Sequence, residues 1–257
     1  MTRIDSYEDL TDNSVGWLKD YYWMHNVKAF VVGVSGGIDS AVVSSLCART
    51  GLPTYVVCMP LESKFENTKL SDAHSRALVE KYDNVKRIEV ELFSAYDSLI
   101  KSIEWWSEAQ HFDKKEFTSS EHAKANTKSR MRMITLYQIA GSVGGIVVGT
   151  GNKVEDYGVG FYTKYGDGGV DIAPIADLYK TEVWELGEYL EVDQRIVDAD
   201  PTDGLWIDSR SDEEQLGASY AELEEAMETG TGPAVDVLKK FNDQNKHKML
   251  PIPTFKL

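Results

Sequence analysis

A pair of glycines with serine and aspartate neighbours forms the segment Ser35-Gly-Gly-Ile-Asp-Ser40. It follows an apolar, β-branched run over residues 28–34 and precedes a helix-favouring run over residues 41–48, so it joins a predicted strand to a predicted helix. Glycines let the backbone approach a ligand, and the first amides of a helix attract anions. The serine hydroxyls can add donors, and Asp39 can hold a magnesium ion on phosphates. The segment predicts a phosphate-binding loop, with a plain glycine turn as the structural alternative.

Two more groups of residues have types that suit a phosphorylated ligand. Arg130 and Arg132 lie in a basic stretch, and a guanidinium group is a bidentate partner for phosphate. A solvated helix face is the alternative interpretation of that stretch. Gly149-Thr-Gly-Asn-Lys-Val-Glu155 follows an apolar strand, at the edge where open parallel sheets bind ligands. Alone, Glu155 would be a surface carboxylate; together with Asp39 it forms a candidate metal pair.

The elements that would position these residues alternate between strand and helix. Short apolar runs predict parallel strands at residues 28–34, 54–59 and 145–150, and residues 87–92 are a further strand candidate. Helical periodicity predicts helices at residues 5–25, 41–48, 66–82, 94–107, 121–141, 177–190, 219–228 and 233–243. Residues 108–120 lack periodicity, and the turn-rich residues 200–217 suit a mobile loop. This alternation predicts an α/β fold, a doubly wound parallel sheet flanked by helices, in a single domain over residues 1–257.

Composition restricts the classes of partner. The net charge of −15 argues against a nucleic-acid partner, although a local basic patch stays open. No apolar run is long enough to span a bilayer, and no apolar signal core opens the chain, so we expect a cytoplasmic protein without a membrane partner. Cys47 and Cys58 form no metal-type or redox motif, which predicts buried free thiols.

The hexapeptide at residues 35–40 resembles the pyrophosphate loop of the N-type ATP pyrophosphatases, which transfer AMP from ATP to an acceptor. Three further blocks resemble the ammonia-dependent NAD synthetase branch: Asn126-Thr-Lys-Ser-Arg-Met-Arg-Met133, residues 149–155, and Tyr162-Thr-Lys-Tyr-Gly-Asp-Gly-Gly-Val-Asp-Ile-Ala-Pro174 with Leu178-Tyr-Lys-Thr181. The resemblance covers residues 28–250. It implies a Rossmann-like fold and ATP-dependent amidation of deamido-NAD to NAD, through an adenylated intermediate that releases pyrophosphate and then AMP.

The resemblance also assigns roles to individual residues. The ATP-binding residues it implies are Gly33, Ser35, Gly36, Gly37, Asp39, Ser40, Thr150, Lys180 and Thr202. The deamido-NAD-binding residues it implies are Asn126, Arg130, Arg132, Lys164, Asp167, Asp171, His247 and Lys248. Asp39 and Glu155 would hold Mg2+, and catalysis would fall to Asp39, Glu155, Lys180 and Asp171. The base that takes a proton from ammonium is left open between Asp171 and water. Residues 155–163 are one residue longer than in some relatives, which affects the alignment of residues 156–160.

Further expectations concern nitrogen source and assembly. Glutamine-dependent relatives carry an extra amidase domain, and only about 27 residues precede the first predicted strand here, so the resemblance implies no N-terminal glutaminase domain. The nitrogen donor is then free ammonia, or ammonia from a separate subunit. Family members are homodimers, and the aromatic N-terminal helix would suit an interface or core packing equally. Another AMP-forming ligase is one alternative, against which residues 162–174 argue. A non-catalytic nucleotide sensor is a second alternative, which would have no use for Glu155, Lys180 and the helix with Arg130 and Arg132.

Overall fold

A four-stranded parallel sheet forms the centre of the computed structural model, which describes residues 3–61, 65–113, 117, 120–202 and 211–256. The strands are β1 (Phe30–Gly33), β2 (Thr54–Cys58), β3 (Val85–Glu89) and β4 (Ile146–Val148), in the order β3-β2-β1-β4. Phe30 lies opposite Thr54 on one side and Ile146 on the other. Because neighbouring strands are parallel, the chain must cross back between them, and helices make these crossovers.

At least one helix precedes each strand, and after β4 the helices follow one another. The first group is α1 (Tyr7–Met24), α2 (Ile38–Arg49), α3 (Phe65–Lys81), α4 (Phe93–Ala109) and α5 (Glu121–Val143). After β4 come a π-helical turn (Val154–Val159), α6 (Lys180–Tyr189), α7 (Gln194–Val197), α8 (Asp212–Leu216), α9 (Tyr220–Thr229) and α10 (Val235–Met249). None of the helices in the described part of the chain is both long and apolar enough to cross a bilayer.

Both faces of the sheet are covered, because successive side chains of a strand point to opposite faces. Phe30 and Val32 of β1 pack in one apolar cluster with α1, α2 and α6. Val31, the residue between them, packs in a second cluster with α4 and α5. The predicted doubly wound parallel sheet is therefore confirmed.

A third apolar cluster joins the π-helical turn to the C-terminal helices. Val154 and Val159 of the turn pack with Tyr220 and Leu223 of α9, and Phe241 of α10 lies against them. This cluster fixes the turn that carries Glu155, so the C-terminal helices belong to the framework of the candidate site.

Three sequence predictions were wrong at their boundaries. The third strand lies at Val85–Glu89 rather than at residues 87–92, because residues 85–89 pair in register with Thr54–Cys58 of β2. Residues 212–216, predicted as loop, form α8, which a Ser211–Glu214 capping box begins. The last helix continues to Met249, where basic residues in its final turn suit the helix dipole. Residues 203–210 of the predicted loop lie outside the described residues.

Gly145 lies in the turn between α5 and β4, and Gly141 lies inside α5. We expect alanine substitutions at these two glycines to change the free energy of unfolding in opposite directions. A methyl group on Gly145 would lie 2.7 Å from the carbonyl oxygen of Ala29, whereas nothing lies within 4 Å of one on Gly141. We expect Gly145→Ala to lower the free energy of unfolding by about 1–3 kcal/mol, since backbone must shift. Gly141→Ala lies inside α5 and should raise the same free energy by up to about 1 kcal/mol. Urea unfolding of both variants measures this; equal effects would contradict the assigned packing.

Candidate functional site

The strand order reverses between β1 and β4, which creates a crevice at the carboxyl ends of these strands. The chain leaves β1 toward α2 through residues 34–37 and leaves β4 through residues 149–153. Open parallel sheets bind ligands at such a switch point. The fold therefore brings the predicted phosphate loop and the block at residues 149–155 to one place.

The two serines of the glycine loop are bonded to the loop itself. The backbone N–H of Ser35 donates to Ser40 Oγ at 3.1 Å, and Ser40 Oγ donates to the Gly37 carbonyl at 2.9 Å. The side-chain oxygens of Ser35 and Ser40 are 3.0 Å apart. Gly37 precedes α2 without a side-chain cap, so no cap covers the first amides of that helix. The loop thus presents backbone N–H groups to an anion, while Ser40 holds its shape.

Gly36 must be glycine for two separate reasons. Its φ is +93°, in the region that residues with a side chain rarely adopt. A methyl group there would also lie 2.4 Å from the Asn67 carbonyl oxygen, in the first turns of α3. The close approach of α3 to the back of the loop therefore depends on this residue.

A buried ammonium group joins two carboxylates beside the loop. Lys180 Nζ lies 2.6 Å from Asp39 Oδ2 and 3.0 Å from Glu155 Oε1, and the lysine side chain is 3% exposed. Burial alone would lower the pKa of Lys180, but the two carboxylates outweigh it and raise that pKa above its ordinary value. Burial raises the pKa of Glu155, an effect that Lys180 opposes and Asp39 reinforces. The first residue of α6 is thus tied to α2 and to the π-helical turn.

Asn152 orients this cluster through its side-chain amide. Its side chain is fully buried, and Nδ2 donates to Asp39 Oδ1 at 3.0 Å. Its Oδ1 accepts the backbone N–H groups of Val154 and Glu155, both at 3.1 Å. One amide therefore begins the π-helical turn and fixes the second oxygen of Asp39.

Tyr220 closes the other side of the cluster. Its hydroxyl donates to Glu155 Oε1 at 2.8 Å and lies 3.3 Å from Asp212 Oδ2. Burial and the surrounding carboxylates raise the pKa of Tyr220 well above its ordinary value, so the hydroxyl keeps its proton. Three carboxylates, those of Asp39, Glu155 and Asp212, then surround one lysine ammonium.

The excess of carboxylates suits a divalent cation that arrives with phosphates. Mg2+ prefers oxygen ligands and usually takes one or two protein carboxylates together with waters and substrate phosphates. Among the described residues no group of three or more histidine, cysteine, aspartate or glutamate side chains is arranged as a complete metal site. Asp39 and Glu155 therefore fit a partial, substrate-completed site. Next to them, burial raises the pKa of Asp156 to about 7, and Glu155 adds to the effect.

A second polar region lies where residues 162–167 meet α5. The Thr163 hydroxyl donates to Asn126 Oδ1 at 2.6 Å, and the Ser129 hydroxyl donates to Asp167 Oδ1 at 2.6 Å. The Thr163 backbone N–H reaches the same aspartate oxygen at 2.9 Å. These bonds dock the turn onto the helix that carries Arg130, so the structure brings Asn126, Arg130 and Asp167 together.

The cations of this second region bond to backbone carbonyls. Both Arg130 Nε and Nη2 lie 3.3 Å from the Lys164 carbonyl oxygen. Lys164 Nζ donates to the His247 carbonyl at 3.0 Å, and Lys248 Nζ donates to the Tyr162 carbonyl at 2.7 Å. Burial lowers the pKa of Lys248, and the nearby Asp167 opposes this. Since carbonyls are neutral, these hydrogen bonds place the cations without cancelling their charge.

The hydrogen-bond partners of two predicted residues belong to neither region. Arg132 approaches the carbonyls of Met59 and Leu61 after β2, with contacts of 3.4 and 3.5 Å. Both Asp171 oxygens accept hydrogen bonds, from the Tyr137 hydroxyl at 3.0 Å and the Val147 backbone at 2.8 Å. The structure thus fixes Asp171 along β4.

Comparison with known proteins supports one family for this arrangement. The NAD synthase family model matches residues 10–252. The NH3-dependent NAD+ synthetase of Carboxydothermus hydrogenoformans is 35% identical over 246 residues, which is 95% of each chain. The chain belongs to the NAD synthase family.

Solved structures of NAD synthase relatives have the same fold. An NMN synthetase from Francisella tularensis superimposes with a TM-score of 0.85 and 31% identity, over 99% of this chain and 100% of that one. The NH3-dependent NAD synthetase of Campylobacter jejuni has a TM-score of 0.76, over 98% and 100% of the two chains. Its identity of 24% makes it evidence for the fold alone. The Rossmann-like, N-type ATP pyrophosphatase fold is confirmed.

The remaining residues predicted from the NAD synthase resemblance lie at the crevice rim or beyond it. Gly33 ends β1, and Thr150 follows β4, where the backbone N–H of Gly149 donates to the Ile172 carbonyl at 2.7 Å. Thr202 is half-buried next to the segment that is not described. Residues 155–163, where one extra residue is expected, include most of the π-helical turn.

Sequence reasoning missed several residues that contact the predicted residues of this candidate site. Asn152 lies inside a block that had been singled out, but its type alone gave no role. Tyr220 contacts Glu155 across 65 residues of sequence, so no spacing could have indicated the pair. The other missed contacts are those of Ser129, Thr163 and Asp212.

The phosphate loop leads to a prediction with a matched control. We expect Gly36→Ala to weaken ATP binding by at least about tenfold, or 1.4 kcal/mol, because the methyl group must displace α3 or the loop. Gly51 also has a positive φ, of +71°, but a methyl group there meets nothing within 4 Å. Gly51→Ala should lower the free energy of unfolding by about 1 kcal/mol, because alanine is strained at a positive φ. It should bind ATP as the parent protein does. Calorimetric titration with ATP measures both; equal affinities would contradict the loop's role.

Proposed function

We propose that this chain converts deamido-NAD to NAD with ATP and ammonia, releasing AMP and pyrophosphate. The observation that carries the proposal is the Asp39–Lys180–Glu155 cluster beside a glycine loop at the switch point of the sheet. The name of the 35%-identical Carboxydothermus relative supports the same reaction and the same nitrogen source. ATP is the co-substrate in this proposal, and the other partners are small molecules.

The chemistry proceeds in two displacements. A carboxylate oxygen of the nicotinate ring attacks the α-phosphorus of ATP, and the bond from that phosphorus to the β-phosphate oxygen breaks, so pyrophosphate leaves with the electron pair. Ammonia then attacks the adenylated carbonyl carbon, and AMP departs with the electrons of the C–O bond. The nitrogen loses a proton to a base. The protein contributes positioning and charge neutralisation, as in other phosphoryl transfers.

Each group of residues has a part in this proposal. Backbone amides at the start of α2 hold phosphate, with Thr150 and Thr202 at the rim, and Lys180 neutralises charge that develops on pyrophosphate. Asp39 and Glu155 would hold Mg2+, which supplies further neutralisation when bound. Asn126, Arg130, Lys164, Asp167, His247 and Lys248 bind the nucleotide of the nicotinate substrate, with Arg132 at its edge. Asp171 or a water takes the proton.

A mononucleotide substrate is a second candidate. The solved relative with the TM-score of 0.85 is an NMN synthetase, and its identity of 31% exceeds the 24% of the Campylobacter NAD synthetase. The nicotinate carboxylate and its activation are the same for both substrates, so the cluster at Lys180 serves either. Only the binding of the adenylate half distinguishes them.

An assay of amide formation tests the function and the substrate together. Purified protein receives ATP and Mg2+, either deamido-NAD or nicotinate mononucleotide, and either ammonium or glutamine. We expect NAD from deamido-NAD with ammonium and none with glutamine, because the proposal contains no amidase chemistry. Omission of Mg2+, or its chelation, should abolish turnover.

The outcomes of this assay are distinct. A kcat/KM for nicotinate mononucleotide above that for deamido-NAD would replace the dinucleotide by the mononucleotide as substrate. Product with glutamine would overturn the nitrogen source. No amide from either substrate, while ATP still binds, would overturn the synthetase and favour another AMP-forming reaction.

We also propose that the protein is a homodimer in the cytoplasm. Cys47 and Cys58 are free and buried, as suits a reducing compartment. Helix α4 exposes Phe93, Leu99 and Trp105, and Ile134 of α5 is 61% exposed. Tryptophan is enriched at interfaces, and the occupant that we propose to cover Trp105 is a second copy of the chain.

Two tryptophans of equal exposure test which surface forms the dimer. Trp105 on α4 is 71% exposed and Trp23 on α1 is 70% exposed. We expect Trp105→Glu to halve the mass measured by light scattering, from about twice the 28.8 kDa chain to one chain, since a buried charge disfavours association. Trp23→Glu should leave the dimer intact. The reverse result would assign the interface to α1, and a monomeric parent protein would overturn the dimer.

A further inference from the structure

Helix α9 presents two buried polar side chains, one helical turn apart, toward the start of α6. Tyr220 is 1% exposed and Glu224 is 8% exposed. Residues four apart lie on the same face of a helix. Burying a tyrosine hydroxyl and a carboxylate costs free energy unless each is bonded, so their partners indicate what α9 holds in place.

Tyr220 contacts both members of the Lys180–Glu155 ion pair. Its hydroxyl lies 2.8 Å from Glu155 Oε1, the same oxygen that lies 3.0 Å from Lys180 Nζ. Lys180 Nζ lies over the ring of Tyr220, 5.0 Å from its centroid, a distance typical of a cation–π contact. Trp184 of α6 packs edge-on against the same ring, with 5.9 Å between centroids. The tyrosine is therefore fixed on one side by α6 and touches the carboxylate on the other.

Glu224 holds the helix that carries the lysine. Its carboxylate accepts the backbone N–H of Thr181 at 3.0 Å and the Thr181 hydroxyl at 2.7 Å. Lys180 and Thr181 are the first two residues of α6. A carboxylate is favourable at a helix N-terminus, whereas a lysine there is opposed by the helix dipole. Glu224 thus offsets an unfavourable charge position at the point where Lys180 must be placed.

We propose that Tyr220 and Glu224 are positioning residues for the adenylation step, which hold Glu155 and Lys180 in the relative orientation that pyrophosphate departure requires. The inference rests on the proposed function, because it needs a departing pyrophosphate at Lys180. Neither residue touches the reacting atoms in this proposal. They act through Lys180, which neutralises the departing pyrophosphate, and through Glu155, which would hold Mg2+.

The kinetic signature follows from the place where the charge develops. Lys180 neutralises charge that appears as pyrophosphate leaves, so its misplacement weakens transition-state binding more than ATP binding. Loss of such an interaction lowers kcat and kcat/KM together and leaves KM nearly constant. A residue that only stabilises the fold would lower the melting temperature without this pattern.

Two conservative variants, each with a matched control, test the proposal. Tyr220→Phe removes one hydroxyl and keeps the ring, and its control is Tyr22→Phe, where a buried hydroxyl of α1 bonds the Lys28 carbonyl at 3.3 Å. Glu224→Gln removes one charge, and its control is Glu228→Gln, an exposed residue one turn further along α9. Amide formation and ATP–pyrophosphate exchange are measured for each variant, together with the melting temperature.

We expect kcat and pyrophosphate exchange to fall by about 10- to 100-fold in Tyr220→Phe, the effect of losing a hydrogen bond to a charged group. In Glu224→Gln, kcat and pyrophosphate exchange should fall by about tenfold for the same reason. KM for ATP should change by less than a factor of about three in both. The control variants should keep the parent kcat even where their melting temperatures fall equally.

The outcomes separate this inference from the proposed function. If the parent protein forms no amide and exchanges no pyrophosphate, the proposed function itself fails. If the parent is active and Tyr220→Phe keeps its kcat, or loses activity only through a higher KM, the positioning role is overturned. A fall in kcat that Tyr22→Phe reproduces would also overturn it.

Discussion

The site depends on one buried ammonium group, that of Lys180 between Asp39 and Glu155. Removing one partner of a buried ion pair leaves an uncompensated charge and typically costs about 3–5 kcal/mol, so the three residues must be placed together. They come from α2, from the π-helical turn and from the first residue of α6. The apolar clusters around the sheet, the Asn152 amide and the contacts of α9 each fix one of these three elements. The fold is thus organised so that charges far apart in sequence meet where the strand order reverses.

This placement leaves the site short of positive charge, and the shortage has a chemical use. Asp39, Glu155 and Asp212 lie around a single lysine, so a cation that enters with phosphates lowers the electrostatic cost of the cluster. A nucleotide that arrives with Mg2+ supplies such a cation and displaces part of the existing pairing. Stability and ligand binding are therefore coupled here, because the carboxylates that hold Lys180 in the free protein are those proposed to hold the metal.

Local features of the site were predictable from sequence, and distant ones were not. The loop at residues 35–40 could be predicted because strand, glycines and helix are contiguous, and β1, β2 and β4 because buried parallel strands are largely apolar. The boundary of β3 was missed because charged residues interrupt its apolar pattern. Thr181 and Glu224 are 43 residues apart, and Tyr220 and Glu155 are 65 apart, so only the folded chain brings them together. Family resemblance, rather than residue type, supplied the roles of Lys164 and Asp167.

The two polar regions of the crevice differ in how their charges are compensated, and this difference suits the two halves of the reaction. Around Lys180 the ammonium group is paired with carboxylates, which suits a step in which negative charge moves from carboxylate to pyrophosphate. Around Arg130, Lys164 and Lys248 the cations donate to carbonyl oxygens, so their charge stays available. In a chain of net charge −15, a cluster of cations held by neutral acceptors gives an anionic substrate a defined place to bind. Arg130 lies on α5 and Lys248 on α10, so the helices proposed to bind the nucleotide differ from α2 and α6, which carry Asp39 and Lys180.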